Sequence, residues 1–236
     1  MLTGEQQLPP DWPEILPSAA NDGYPTFELD TDGAYELLFE HRMDRDQTLK
    51  LMADLAPLEV MPDPFIDGCC FMCADKAYLV DQMDVTDAMK DYIRASRTLV
   101  EEMGTFLSDK DVQKVTINFA CDADRHRIDL APTKEVLKKY PDFVAVTGGI
   151  RNIEVSDRRA TKGDAMLELA GSLGITADQI VAFGDSENDI TMLRAAGTGV
   201  AMANSLAITK EAADAVTLSN DEDGVAVYLE KLLKLR

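Results

Sequence analysis

"VAFGDSENDITMLRAAGTGVAMA", residues 181–203, is the stretch of sequence that decides the fold. "VAF" is a short apolar run that suits a strand buried on both faces, and it ends in Gly184 and a group of acidic and amide side chains. The spacing of "NDITMLRAAG" predicts a helix, and "GVAMA" predicts a second strand. Strand, helix and strand in this order indicate two parallel strands joined by a right-handed crossover.

Helix and strand patterns alternate on both sides of this stretch. Before it, residues 161–174 ("TKGDAMLELAGSLG") place apolar residues along one helical face. After it come a helix over 205–215 with Ser205 as its N-cap, a strand at 216–218 and a closing helix over 223–236. The alternation predicts an α/β fold with a doubly wound, Rossmann-like parallel sheet.

Residues 22–150 have a different pattern. Short apolar runs such as "KVTINFAC" and "DFVAVTGG" are separated by amphipathic segments such as "TLKLMADLA" and "TDAMKDYIRASRTLVEEM". Short strands and helices without the regular alternation predict an α+β module that is inserted ahead of the parallel sheet.

The composition is that of a folded protein with an acidic surface. The chain has 236 residues, of which 46% are hydrophobic, and a formal net charge of −20. This charge repels the phosphates of nucleic acids and anionic membranes, so neither is an expected partner. Without an apolar run long enough for a membrane span or a secretion signal, the expected location is the cytoplasm. The cysteines are expected to be reduced core thiols, because they lack the paired spacing of a zinc site. They are Cys69, Cys70, Cys73 and Cys121.

The acidic residues that follow "VAF" predict a cation site. In an open parallel sheet, ligands bind at the carboxyl ends of the strands, and Gly184 lets the chain turn sharply there. Asp185 can then present its carboxylate to Mg²⁺, which takes one or two carboxylates together with waters and phosphate oxygens. Alternatively, Asn188 or Asp189 caps the next helix. Glu187 fits a solvated side chain.

Lys162 stands at the start of a predicted helix. The helix dipole disfavours a cation at that end, so a compensating anion is expected nearby. A phosphate bound between the lysine and the helix amide groups would supply it. The alternative is a lysine that reaches into water beside Asp157 or Asp164.

Three segments taken in order resemble a known family. "TKGDAMLELAGSLGI", "IVAFGDSENDITMLRAAGTGVAMANS" and "AADAVTLSNDEDGVA" are similar to the C-terminal half of the haloacid dehalogenase superfamily, in its Cof-like branch of sugar-phosphate-type phosphatases. The resemblance covers roughly residues 150–236. It implies that Lys162 contacts the phosphate and that Asp185 binds Mg²⁺. It also implies that Asn188 contacts the phosphate or the lysine, and that Asp189 orients the loop.

The resemblance also implies a domain organisation and a substrate class. The type IIB cap of the family, which closes over the substrate, would correspond to residues 45–148. Residues 149–236 would then form the α/β core, and residues 1–44 a remnant of the core that leads into the cap. The substrate would be a small phosphorylated metabolite similar to a sugar phosphate.

The nucleophile of the family has one candidate in this sequence. Related phosphatases use an aspartate in D-x-D-G-T to form an aspartyl-phosphate that water then hydrolyses. The candidate is Asp30–Ala34, but the "GYPTFEL" ahead of it contains Pro25 and Glu28, which do not suit a central strand. D-G is a common hairpin turn, so we predict that Asp30–Ala34 is a turn.

Residues 2–5, "LTGE", resemble the family's second motif, with Glu5 where arginine is usual. On that resemblance Thr3 would contact the phosphate. The chain would then begin after the nucleophile strand, and the N-terminal part of the parallel sheet is expected to be incomplete.

Two functions of different classes remain open. The first is an Mg²⁺-dependent phosphohydrolase that works through an aspartyl-phosphate. The alternative is a truncated or degenerate, non-catalytic relative that binds phosphate and metal through Lys162 and Asp185. A phosphoacceptor signalling domain also uses an acidic loop and a lysine, but it does not account for the inserted module. From the missing motif we expect this chain to release little phosphate from an aryl phosphate.

Overall fold

The computed structural model describes residues 26–29, 35–147 and 152–234, whose strands form three sheets. The strands are β1 Thr26–Leu29, β2 Tyr35–Phe39, β3 Val60–Ile66, β4 Cys69–Cys73, β5 Arg97–Val100, β6 Lys114–Phe119, β7 Phe143–Thr147, β8 Ile153–Asp157, β9 Val181–Gly184, β10 Thr198–Ala201 and β11 Ala215–Val216. The helices are α1 Arg45–Leu55, α2 Asp87–Ala95, α3 Met103–Leu107, α4 Leu130–Leu137, α5 Lys162–Ser172, α6 Ile190–Ala195, α7 Ala207–Ala212 and α8 Gly224–Leu232. Among the helices in these ranges, none is long and apolar enough to cross a membrane.

The C-terminal strands form a parallel sheet in the order β11-β10-β9. Val200 in the middle strand lies opposite Phe183 on one side and Ala215 on the other. Val200, Ala182 and Ala201 are buried, as expected where crossover helices cover a parallel sheet. The sheet and its helices confirm the predicted α/β fold.

The second large unit is a six-stranded sheet in the order β5-β4-β3-β6-β8-β7. Its pairs are antiparallel except for β4 and β5, which run parallel. Every residue of β6 is buried, because side chains pack on both faces of the sheet. On one face Val115 and Ile117 share a hydrophobic core with Leu51 of α1 and Leu107 of α3. This unit is the α+β module that the sequence predicts.

β8 belongs to the six-stranded sheet, whereas the family resemblance implies that residues 149–236 form the α/β core. Ile153 lies opposite Ile117 of β6 and Thr147 of β7. Ile153 and Val155 are also buried in the same core as the apolar side of β6. Strand pairing and burial therefore group β8 with residues 45–148, and the chain crosses to the parallel sheet between Asp157 and Lys162.

β1 and β2 form a separate antiparallel pair, in which Leu29 lies opposite Tyr35. Such a pair is what the turn interpretation of Asp30–Ala34 predicts. Residues 30–34 themselves lie outside the described residues, as does Thr3.

The helix predicted to start at Ser205 begins later in the structure. α7 starts at Ala207, and Leu206 occupies the N-cap position. The Ser205 hydroxyl donates instead to the carbonyl oxygen of Met202. This bond closes the turn after β10, so the prediction of Ser205 as an N-cap is wrong.

A carboxyl group is buried inside the six-stranded sheet. Asp63 of β3 is 0% exposed, and its Oδ2 accepts from Asn118 Nδ2 over 2.9 Å and from Arg97 Nε over 3.4 Å. Asp63 Oδ1 and Asn118 Oδ1 are both buried without a hydrogen-bond partner. Burial outweighs the nearby arginine and raises the pKa of Asp63 to about 7. The neutral, protonated acid avoids the cost of an ionised carboxylate at this buried position.

We expect Asp63 to make the stability depend on pH. Its folded pKa of about 7 lies above the ordinary value of 3.8. The stability that the neutral acid provides is therefore present at low pH and lost as the pH rises through 7. Between about pH 5 and about pH 8, the free energy of unfolding should fall by roughly 2–3 kcal/mol from this group. Urea denaturation at the two pH values measures the fall.

The uncharged variant Asp63→Asn should lose most of this pH dependence. Asp46→Asn, which removes a carboxylate from an exposed position of α1, is the matched control. Its free energy of unfolding should decrease with pH as much as that of wild type. An equal fall in Asp63→Asn and wild type would show that another group is responsible.

Candidate functional site

The acidic loop follows β9 at the carboxyl end of the parallel sheet. β9 ends at Gly184, and a short 3-10 turn, Glu187–Asp189, leads into α6. A Cβ atom on Gly184 would lie 2.4 Å from Asp189 Cβ. The loop thus folds back so closely on the strand that a side chain at Gly184 does not fit. Asp185 is the first side chain beyond the sheet, and it is exposed.

Asp189 organises this loop through both of its carboxylate oxygens. The residue is 5% exposed. Its Oδ2 accepts from the backbone N–H groups of Asp185 over 2.9 Å and Ser186 over 3.0 Å. Ser186 and Asp189 form a reciprocal capping box around the 3-10 turn. Asp189 also occupies the N-cap position of α6, but its side chain makes no capping hydrogen bond to that helix. Its contacts with the loop agree with the orienting role that the resemblance implies, rather than with the alternative that it caps the next helix.

Lys162 reaches this carboxylate from the start of α5. Its Nζ lies 2.6 Å from Asp189 Oδ1, and the two side chains are 17% and 7% exposed. The anion that the helix dipole requires near Lys162 is thus supplied within the chain. The alternative of a solvated lysine beside Asp157 or Asp164 does not agree with this contact.

Two of the amide groups at the start of α5 are already hydrogen bonded to side chains. Thr161 Oγ1 accepts from the N–H of Asp164, and Thr191 Oγ1 accepts from the N–H of Gly163, each over 3.1 Å. The sequence predicts an anion between Lys162 and the helix amides. Because these two amides have partners, they do not support that arrangement.

The structure brings most of the predicted site residues to one edge of the sheet. Lys162 is joined to Asp189, and Asp189 in turn holds the backbone of Asp185. Asn188 lies in the same 3-10 turn and is partly buried. Thr3 lies outside the described residues.

In the connection from β8 to α5, Arg159 is a residue near the site that the sequence does not predict. The backbone N–H and Nε of Arg159 each lie 2.9 Å from Asp157 Oδ1. Burial acts to raise the pKa of Asp157, but the hydrogen bonds from Arg159 lower it by more. This pair fixes the chain just ahead of Lys162. Thr191 and Gly163 were also missed, and a glycine inside a helical pattern was the available signal of a close backbone approach.

The oxygen atoms at Asp185 fit a hard cation. In the parts of the chain that the structure describes, no group of three His, Cys, Asp or Glu side chains is arranged to hold a metal ion. Mg²⁺ needs fewer than three protein ligands, since it takes one or two carboxylates and completes its coordination shell with water and phosphate oxygens. Asp185 offers an exposed carboxylate, and Ser186 Oγ lies 3.1 Å from its Oδ1. Asp189 is less suited, because both of its oxygens are already hydrogen bonded.

The fold and the site together define a class of α/β protein. An acidic loop and a lysine paired with it lie at the carboxyl edge of a parallel sheet, and an α+β module precedes that sheet in the sequence. The sequence profile of the haloacid dehalogenase-like hydrolases matches residues 30–229. The chain belongs to this family.

Curated relatives match shorter stretches. Phosphatase YwpJ of Bacillus subtilis is 49% identical over 92 residues, which are 39% of this chain and 32% of the relative. The 5-amino-6-(5-phospho-D-ribitylamino)uracil phosphatase YwtE of the same organism is 38% identical over 115 residues, or 49% of this chain and 39% of the relative. The matches thus span about a third to two fifths of these relatives.

A solved structure shows the same fold over most of the chain. A subclass IIB sugar phosphatase of the haloacid dehalogenase superfamily superposes with a TM-score of 0.65 and 23% identity. The superposition covers 84% of this chain and 70% of the other. The superposition shows that the chain shares the fold of this phosphatase, and the family profile assigns it to the haloacid dehalogenase-like hydrolases. The type IIB cap stays a prediction.

Proposed function

We propose that this chain belongs to an Mg²⁺-dependent phosphohydrolase that acts on a small phosphorylated metabolite. The observation that carries the proposal is the contact of 2.6 Å between Lys162 Nζ and Asp189 Oδ1, beside Asp185 at the carboxyl edge of the sheet. A lysine in this position can neutralise phosphate charge as it develops in a transition state. Asp189 keeps the ammonium and the metal-binding loop together.

Each residue of the proposed site has a separate task. Lys162 contacts the phosphate, and Asp185 is the metal ligand. Asn188 contacts the phosphate or the lysine, and Thr3 contributes a hydroxyl to the phosphate. The last two assignments rest on the resemblance to the family.

Bound Mg²⁺ would neutralise negative charge on the phosphoryl group. The residues of this chain position the groups that would bind the ion. Asp189 accepts the N–H groups of Asp185 and Ser186 and thereby fixes the backbone from which the Asp185 carboxylate extends. The exposure of Asp185 leaves room for the water ligands that Mg²⁺ retains.

An aspartyl-phosphate is the proposed intermediate, as the family resemblance implies. The pairing of β1 with β2 supports a turn at Asp30–Ala34 rather than a nucleophile at the end of a parallel strand. A non-catalytic protein that binds phosphate and metal is therefore the second candidate.

The proposed substrate is a small molecule with a phosphate monoester, such as a phosphorylated sugar or sugar alcohol. The name of the relative YwtE specifies a phosphoribityl compound, which is of this type. The net charge of −20 disfavours a polynucleotide. All four cysteines are free thiols, which supports the cytoplasmic location proposed from the sequence.

We also propose that the cap extends from about residue 45 to Asp157. The hydrogen bonds and buried side chains of β8 support this boundary over one at residue 148. The core would then begin at α5, whose first residue is Lys162.

Asp185→Asn tests the metal assignment. We expect it to weaken Mg²⁺ binding at least tenfold, because a neutral amide replaces the carboxylate at a site for a hard cation. Glu187→Gln is the matched control two residues away, and it should leave the affinity within about twofold of wild type if Glu187 is a bystander. Isothermal titration with MgCl2 measures both.

Equal effects of the two variants would contradict Asp185 as the ligand. Turnover is followed in parallel with p-nitrophenyl phosphate. Magnesium-dependent turnover that Asp185→Asn abolishes supports the enzyme, and binding of magnesium without turnover supports the second candidate. Turnover that Asp30→Asn abolishes would overturn the turn interpretation and identify Asp30 as the nucleophile.

A further inference from the structure

The first turn of α5 and the first turn of α6 approach each other unusually closely. A Cβ atom on Gly163 would lie 2.6 Å from the carbonyl oxygen of Thr191 and 2.7 Å from its carbonyl carbon. These distances are too short for any side chain, so the missing Cβ of Gly163 lets the two backbones meet.

A hydrogen bond crosses the same contact. Thr191 Oγ1 accepts from the backbone N–H of Gly163 over 3.1 Å. This N–H is one of the amides at the start of a helix that have no partner within the helix. The N-cap residue Thr161 satisfies the amide of Asp164, and Thr191 satisfies the amide of Gly163 from a different helix.

The contact lies next to both partners of the ion pair. Gly163 follows Lys162 directly, and Thr191 comes two residues after Asp189. The hydroxyl therefore ties together the two helix starts that carry the ammonium and the carboxylate. A shift of α5 by a fraction of an ångström would lengthen the Lys162–Asp189 contact.

We propose that Thr191 is a positioning residue for Lys162. Its hydroxyl fixes α5 against α6 and thereby sets the distance from the ammonium to Asp189 and to the phosphate position. The role in phosphate contact rests on the proposed function, whereas the positioning of Lys162 does not.

The test is the reactivity of the Lys162 ammonium in the full chain. Limited acetylation with acetic anhydride, followed by mass spectrometry, gives the labelling rate of Lys162 relative to the exposed Lys138. Thr191→Val keeps the shape and removes the hydroxyl, while Thr191→Ser keeps the hydroxyl and removes the methyl group. We expect Lys162 to react roughly 3–10 times faster in Thr191→Val, the range for loss of one hydrogen bond, and at nearly the wild-type rate in Thr191→Ser.

Equal labelling of Lys162 in the three proteins would overturn the proposal. So would faster labelling in Thr191→Ser that equals that in Thr191→Val, since the hydroxyl would then be irrelevant. Thr191→Ala serves as a second variant without the hydroxyl if Thr191→Val does not fold. A general loosening of the fold would accelerate other buried lysines too, so Lys114 is followed as a reference for the six-stranded sheet.

A separate measurement tests the proposed function. Inorganic phosphate with MgCl2 should protect Lys162 of the wild type from acetylation if this lysine contacts phosphate. Absence of protection would contradict the phosphate role but leave the comparison of Thr191→Val with Thr191→Ser intact. Failure of the positioning role of Thr191 and failure of the phosphate contact of Lys162 are therefore distinguishable.

Discussion

Gly184→Ala is expected to lower the free energy of unfolding by about 1–3 kcal/mol, as overpacking of a closed site does. The new methyl group would lie 2.4 Å from Asp189 Cβ, 2.9 Å from Cγ and 3.0 Å from Oδ2. Asp189 has little freedom to move away, because its carboxylate holds Lys162 and two backbone amides of the loop. The substitution should therefore also displace the loop that carries Asp185, and weaken Mg²⁺ binding.

Gly171→Ala is the control for this substitution. Gly171 lies in α5, and a Cβ atom there would have no neighbour within 4 Å. Alanine is favoured over glycine within a helix, so this variant should be more stable than wild type by roughly 0.5–1 kcal/mol. Urea denaturation measures both proteins. If Gly184→Ala were as stable as Gly171→Ala, the close packing of the loop on β9 would not be real.

The elements of the parallel sheet could be predicted because their signals are local. The helix at 161–174 and the strand that ends at Gly184 follow from spacing and turn residues alone, and the structure contains both. Ser205 was misassigned because a serine before a helix can bond either to the helix or backward to a strand end. Only the tertiary structure selects its partner, Met202.

The six-stranded sheet was predictable only in outline. The segment "TDAMKDYIRASRTLVEEM" has the pattern of an amphipathic helix, but α2 ends at Ala95 and β5 begins at Arg97. β5 has four residues and pairs in parallel with β4, which lies more than twenty residues earlier in the chain. Pairing over that distance leaves no periodic signal in so short a strand.

Only those positions in the site that follow from the topology of the sheet could be predicted. A sheet edge gathers the residues at the ends of its strands, so the position of Asp185 follows from topology. The contact between Lys162 and Asp189 joins residues 27 positions apart, and no local pattern encodes it. The family resemblance supplied their roles, while the part played by Thr191 required the structure.

Lys162→Met is expected to have the largest effect on stability. The change leaves the Asp189 carboxylate buried without its cation, and breaking a buried ion pair from one side costs about 3–5 kcal/mol. We expect a value near the lower limit, about 3 kcal/mol, because Asp189 Oδ2 still accepts two backbone N–H groups. Lys138→Met is the control, since Lys138 and Glu135 form an exposed pair whose loss should cost less than about 1 kcal/mol.

A second substitution separates the lysine's contribution to stability from its contribution to binding. In Lys162→Met/Asp189→Asn the buried charge is gone, and the amide oxygen of the asparagine can still accept from the loop. The double variant should therefore recover part of the stability that Lys162→Met loses, as urea denaturation would show. It should not recover affinity for inorganic phosphate in the presence of MgCl2, because no ammonium group remains to meet the anion. If the double variant bound phosphate like wild type, Lys162 would serve only to neutralise Asp189, and the proposed phosphate contact would have to be assigned to another residue.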